Sequence, residues 1–223
     1  GNIYCGLHEF EDMAFLLHFL RSTDFFADIG ANVGSYTILA SGVCRAHTIA
    51  FEPDPSTFAA LSRNVALNKL DALVKSRQCA LGSQVGKAAF TVGLDTVNRV
   101  LTDTAGSGRI VAMDTLDHAL ERECPSLLKL DVEGFESEVL RGAEQTLSRP
   151  ELKAVITEDR SVPVTSALEA AGFLEHNYAP FTRQLKPQQG KGHGQNALFV
   201  RDGDFVQQRV TSAPRVRVLH KWL

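Results

Sequence analysis

Two hydrophobic periods take turns along this chain. From Glu9 to Leu20 the residues Phe10, Met13, Leu16, Leu17 and Leu20 recur at helical spacing, with Glu11 and Asp12 near the start where a helix dipole favours acids. Phe25, Phe26, Ala27 and Ile29 then form a short apolar run with the length of a buried strand. It ends in Gly30, Ala31, Asn32, Val33 and Gly34, and Tyr36 to Ala40 read as the start of a helix. The alternation repeats. Ile49, Ala50 and Phe51 predict a second strand. Asp54 as N-cap, Pro55 at the first helical position, and Phe58, Leu61 and Val65 on one face predict the helix that follows. Val74 to Leu81 reads as a third strand.

Residues 86 to 112 break the rhythm, because KAAFTV and RIVAM read as short β segments around a polar stretch, an inserted hairpin or flap. Asp114 or Thr115 caps a helix at DTLDHAL, and Leu127, Leu128 and Leu130 form the next strand. A helix from about Phe135 to Leu147 follows, with Phe135, Val139, Ala143 and Leu147 on one face. Ala154 to Thr157 is another buried strand, Val164 to Gly172 a short helix, and Asn196 to Arg201 a closing strand. Residues 180–195, polar and glycine-rich with Lys186, Lys191 and His193, are a lid over substrate or a mobile surface loop. The pattern divides the chain into an N-terminal helical segment (1–24), one domain (25–202) and a basic tail (203–223) that is an edge strand, a partner-binding element or a fraying end.

Composition narrows the class. A chain of 223 residues, 44% hydrophobic and 22% charged, has the make-up of one globular domain and shows no membrane span. A net charge of −3 argues against general nucleic-acid affinity, which relies on many cationic phosphate contacts. Cys5, Cys44, Cys79 and Cys124 form no CxxC pair, so buried free thiols are expected rather than a zinc ribbon or disulfide framework. No charged segment leads into a long apolar stretch at the start, so no signal peptide is expected and a cytoplasmic location is.

The chemistry gathers where strands end. A glycine turn between strand and helix lets backbone approach a ligand and aims free N–H groups at it. About twenty residues on, Glu52 closes the second strand at the offset where an acid holds ribose hydroxyls. A dinucleotide fingerprint needs glycine at position 32, where this chain has Asn. Asp28 in addition would repel phosphate and suit an ammonium or sulfonium ligand. S-adenosylmethionine carries both cations and no phosphate. Asp131 and Glu133 follow the strand at 127–130, and Glu158 and Asp159 follow that at 154–157, all expected on the crevice edge of the sheet. In the simpler account, Glu133 only stabilises a helix N-terminus. His8, Glu9 and His18 are expected in solvated or capping roles, Glu9 being a second candidate for the ligand amine. Cys79, Ala80 and Leu81 would lie beside the adenine of a doubly wound sheet.

The motifs DIGANVGSYTILAS, FEPDP with Asn68 downstream, DTLD at 114–117, LLKLDVEGFESEVLRGAE, and VITE before NALFV resemble the FkbM family of S-adenosylmethionine-dependent methyltransferases, in family order from about residue 25 to 200. The resemblance implies an α/β, Rossmann-like class I methyltransferase fold: seven mostly parallel strands, the last antiparallel, helices on both faces and the small β insertion. It implies that Asp28, Gly30, Ala31, Asn32, Gly34 and Ser35 line the methionine end of the cofactor. Glu52 and Pro53 would hold the ribose, Cys79, Ala80 and Leu81 flank the adenine, and Asp131 border the transferred methyl. The expected acceptor is a hydroxyl of a small molecule, sugar or glycan. A base must take its proton, and the candidates in order are Asp131, Glu133, Glu158 and His193, with no metal. A nicotinamide-dependent oxidoreductase and a catalytically silent interaction module are the competing readings. A homo-oligomer is compatible with the sequence.

Overall fold

The computed structural model describes residues 7–90, 100–101, 109–188, 196–218 and 221–223. Helix α1 (Phe10–Phe19) leads into β1 (Phe25–Ile29). After the glycine turn, α2 (Ser35–Ile38) runs into a π-helical turn, Leu39–Val43, and then β2 (His47–Phe51). Helix α3 (Pro55–Leu67) begins where Asp54 accepts the backbone N–H groups of Ser56 and Thr57, and it returns the chain to β3 (Val74–Arg77). The single strand expected over 74–81 is two. After Arg77 the chain leaves the main sheet, and β4 (Ala80–Leu81) joins a second one.

That second sheet is the insertion, four strands in the order β4, β7 (Arg109–Asp114), β5 (Gly86–Phe90) and β6 (Val100–Leu101). Thr115 caps α4 (Leu116–Leu120), and β8 (Leu127–Leu130) re-enters the main sheet. The helix expected from Phe135 to Leu147 is broken into α5 (Glu136–Arg141) and α6 (Glu144–Ser148). The reason is packing. A Cβ at Gly142 would lie 2.0 Å from the carbonyl oxygen of Gly82, so only glycine admits the strand-end backbone there. The chain continues through β9 (Ala154–Thr157), α7 (Val162–Ala170), β10 (Leu174–Ala179), β11 (Gln184–Pro187), β12 (Ala197–Val200) and α8 (Gly203–Thr211).

The main sheet runs β11-β10-β12-β9-β8-β1-β2-β3. Strands β3, β2, β1, β8 and β9 pair in parallel, and β12 is antiparallel to both neighbours, as expected of the closing strand. The count is eight rather than seven because Gln184–Pro187, within the expected lid, pairs with β10 as an edge strand. The remainder of that stretch, 189–195, and His193 with it, lies outside the described residues.

Both faces of the parallel strands are apolar, as helices on two sides require. One core holds Ile29, Phe51, Leu128, Leu130, Val155 and Phe199 with α4 to α7. The other holds Phe26, Leu127, Ile156, Leu198 and Val200 with α1 and α8. His18 belongs to the second core. It is fully buried and its Nδ1 lies 2.6 Å from the Tyr178 hydroxyl, which overturns the solvated role expected for it. The tail is tied down rather than fraying. Val216 and Leu223 exchange backbone hydrogen bonds beside the pair β13 (Arg217–Val218) and β14 (Lys221–Trp222), and Arg183 donates to the carbonyls of Ala213 and Leu223. Cys44, Cys79 and Cys124 are free thiols. Among the described residues no helix is long and apolar enough to cross a membrane.

Candidate active site

Parallel pairing fixes the site, because β1, β2, β8 and β9 all end on the same edge and each delivers an acid or a turn there. A cavity of about 580 Å³ opens at that edge, within the usual range for a ligand pocket. Of the residues singled out in the sequence, Asp28, Gly30, Ala31, Asn32, Ser35, Glu52, Pro53, Cys79, Ala80, Leu81, Asp131, Glu133 and Glu158 line it. Gly34 does not. Its φ of +92° makes the left-handed turn into α2, and a Cβ there would meet Leu61 Cδ1 at 2.6 Å.

Gly30 serves packing before any ligand. Its φ is +74° and an added Cβ would stand 1.8 Å from the Asp131 carbonyl oxygen, so the ends of β1 and β8 touch through it. Asn32 also has positive φ, 51°, which asparagine tolerates; its side chain accepts the N–H of Val33 at 2.8 Å. The turn therefore closes without a second glycine.

At one end of the cavity the Glu52 carboxylate accepts the N–H groups of Asn32 (3.0 Å) and Asp54 (2.9 Å). Burial pushes its pKa up to about 7, against the pull of those two amides. A buried acid so placed calls for further donors, which ribose hydroxyls supply. At the other end Asp28 is 1% exposed. One of its oxygens takes the Thr37 hydroxyl at 2.6 Å, while Oδ1 is buried with no hydrogen-bond partner. Burial raises its pKa, opposed by Lys129.

Lys129 is not among the residues the sequence singles out. It lies in β8 directly opposite Asp28, is 4% exposed, and places Nζ 2.5 Å from Asp131 Oδ2. Burial pulls its pKa down, but Asp131 and Asp28 more than reverse this, so the ammonium is held protonated. The only sequence signal for it was a charge inside an otherwise apolar strand. Tyr36 and Glu9 extend the wall, the tyrosine hydroxyl donating to Glu9. Asn196 donates to Asp12 at 3.0 Å behind them.

Glu133 has a φ of 54°, a conformation disfavoured for glutamate, and Gly134 follows at 88°. Glu136, the first residue of α5, ties down the loop before it: its Oε1 accepts the N–H groups of Val132 (3.1 Å) and Gly134 (3.3 Å). Asp131, Glu133 and Glu158 offer carboxylate oxygens all within 4.8 Å of one another. That spacing is within reach of one divalent ion, although carboxylates often stand this close without one. Burial and then the charges of Asp131, Glu133 and Glu136 push Glu158 up to about 7.

Strand order, crossovers and a cavity at the carboxyl ends of β1, β2, β8 and β9 define a class I methyltransferase fold. The chain belongs to the FkbM methyltransferase family: residues 28–180 match the family model described as "Methyltransferase FkbM domain". It is 30% identical over 135 residues to the hexuronic acid methyltransferase AglP of Haloferax volcanii, a match covering 59% of this chain and 55% of that one. It is 28% identical to the 31-O-demethyl-FK506 methyltransferase FkbM of Streptomyces tacrolimicus, over 74% of this chain and 78% of that one. The chain thus spans about half the length of the first of these relatives. A crystal structure of methyltransferase FkbM from Methylobacillus flagellatus superposes with a TM-score of 0.55 at 15% identity, covering 81% of this chain and 44% of that one, which shows the shared fold. S-adenosylmethionine is the cofactor that goes with this family, and the residues present fit it: an unpartnered buried carboxylate oxygen for a cation and a buried acid for the ribose.

Proposed function

We propose that the chain is an S-adenosylmethionine-dependent methyltransferase that methylates a hydroxyl oxygen of a small molecule, sugar or glycan. The observation that carries this reading is the pairing, in one cavity, of Glu52 with the orphaned Asp28 Oδ1. The first suits a ribose and the second suits a cation, and neither suits a phosphate. The cofactor supplies an activated methyl group on a sulfonium. In transfer, the acceptor oxygen forms a bond to the methyl carbon as the carbon–sulfur bond breaks, and the hydroxyl proton passes to a base.

This chain's residues bind, align and take that proton. Asp28 would hold positive charge at the methionine end, Glu52 the ribose, and Ala80 and Leu81 the adenine face, which together would fix the methyl group in the cavity for an acceptor brought into line with it. For the base, Glu158 moves ahead of Asp131. Lys129 already engages Asp131, whereas the Glu158 carboxylate accepts no side-chain or backbone hydrogen bond among the described residues and its pKa of about 7 matches the task. Relatives named for a hexuronic acid and for 31-O-demethyl-FK506 support an acceptor of the sugar or small-molecule kind without choosing between them.

The test is calorimetry of the unmodified protein and a Glu52→Ala variant with S-adenosylhomocysteine and NAD. Binding of S-adenosylhomocysteine that weakens at least about tenfold in the variant is the expected result. Binding of NAD alone would return the oxidoreductase reading.

A further inference from the structure

The cavity contains one buried cation that methyl transfer, as set out above, leaves without a task. Strand pairing sets Lys129 directly across from Asp28, two residues before Asp131 on the same strand. Its ammonium faces Asp131 (2.5 Å), Asp28 and Glu9, and stands 4.8 Å from the centre of the Tyr36 ring. A buried carboxylate, Asp28, and a half-buried one, Asp131, therefore share one buried ammonium, and the ammonium hydrogen-bonds to Asp131. Asp28 is left with Thr37 on one oxygen and nothing on the other. A buried carboxylate oxygen without a hydrogen-bond partner is costly, and a cation placed at Asp28 would relieve that cost.

We propose that Lys129 is a positioning residue that assigns the cofactor's charge: by engaging Asp131 it leaves the unpartnered Oδ1 of Asp28 as the seat for the cofactor's ammonium. The cofactor's ammonium then docks at Asp28, and the methyl-bearing end is not drawn into an ion pair with Asp131. The inference rests on the S-adenosylmethionine reading of the cavity. Tyr36 contributes by covering the ammonium with its ring while its hydroxyl donates to Glu9.

Three ligands separate the charges without an acceptor. S-adenosylhomocysteine has the ammonium and a neutral thioether; sinefungin has the ammonium and a second amine where the sulfonium methyl stands; 5′-methylthioadenosine has neither cation. At pH 8, Lys129→Met frees Asp131 for the second amine, so the preference for sinefungin over S-adenosylhomocysteine should rise about tenfold, while Lys129→Arg should leave it near that of the unmodified protein. An unchanged preference in Lys129→Met, with S-adenosylhomocysteine still bound, would overturn this inference alone. Failure of the unmodified protein to bind S-adenosylhomocysteine would overturn the cofactor reading with it.

Should Lys129→Met fail to fold by circular dichroism, Asp131→Asn decides. Released from Asp131, Lys129 turns to the open oxygen of Asp28, and affinity for S-adenosylhomocysteine should drop about tenfold relative to 5′-methylthioadenosine. An unaltered ratio of those two affinities is incompatible with the proposal.

Discussion

The two ends of the cavity are built on opposite plans. At the Glu52 end a carboxylate is held by backbone: it accepts the N–H groups of Asn32 and Asp54, and Asp54 in turn caps α3 through Ser56 and Thr57. At the Asp131 end side chains from three strands, Asp28, Lys129, Asp131 and Glu158, balance charge among themselves. Backbone amides keep their position and sign at any pH, whereas a group of side chains holds together only while its charges sum correctly. The first end should therefore respond to changes of shape, and the second to changes of charge.

The largest effect should come where the two plans meet. Gly30 belongs to the backbone-built turn but abuts the Asp131 carbonyl, so Gly30→Ala drives a Cβ to within 1.8 Å of that oxygen at a φ of +74°. Both strand ends must move apart. Loss on the order of 4 kcal/mol or more is expected in urea denaturation followed by circular dichroism. A variant within about 1 kcal/mol of the parent would mean that the two loops separate freely and that the ends are not joined at this residue.

Titration gives the next contrast. Glu52 is raised in the folded chain to about 7 from 4.5, so the folded state binds a proton more tightly across that window. Its contribution to stability is greatest below pH 4.5 and declines as pH rises to 7. Glu52→Gln should flatten that decline and, at pH 8, stabilise the free protein by on the order of 1 kcal/mol, because a gain near 3 kcal/mol is offset by the weakened amide contacts. Glu158→Gln, half-buried and also raised to about 7, should flatten the same window less. Outside the cavity lining, His18 works the other way. Burial lowers it from 6.5 to about 4, so its stabilisation is complete above pH 6.5 and is lost as pH falls toward 4. Urea midpoints at pH 4, 5.5 and 8 distinguish the three, and a midpoint that rises between pH 5.5 and 8 in Glu52→Gln no more than in the parent would remove Glu52 as the source.

The backbone-built end is legible in the sequence because its signals are local. Gly30, Asn32, Glu52 and the Asp54–Pro55 cap lie in two short stretches whose residue types dictate turn and helix start. The acids of the other end, Asp131, Glu133 and Glu158, are legible as well, since each follows an apolar run. Lys129 is not, because its role exists only through strand register with Asp28. Nor is Glu136, which looks like a surface position of a helix until the loop from Val132 to Gly134 folds back onto its carboxylate. The helix break at Gly142 reflects its contact with the Gly82 carbonyl, and the division of 74–81 between two sheets reflects the pairing of Ala80–Leu81 with Met113–Asp114; both are contacts across the fold that no window of sequence contains. His18 shows the same limit in the core, because Tyr178 arrives from β10 to hold it.

The smallest expected effect separates conformation from packing. Gly134 has a φ of +88°, more extreme than that of Gly30, yet a Cβ built on it meets nothing within 4 Å. Gly134→Ala thus carries the conformational strain alone, about 1–2 kcal/mol for a left-handed residue without a partner. It leaves the Glu136 hydrogen bonds to the loop in place, so Glu133 keeps its position and S-adenosylhomocysteine affinity should stay within about twofold of the parent. Urea denaturation and calorimetry on the same preparation check both numbers. A loss comparable to that of Gly30→Ala would show that the positive φ, and not the contact with Asp131, is what makes glycine necessary at the strand ends.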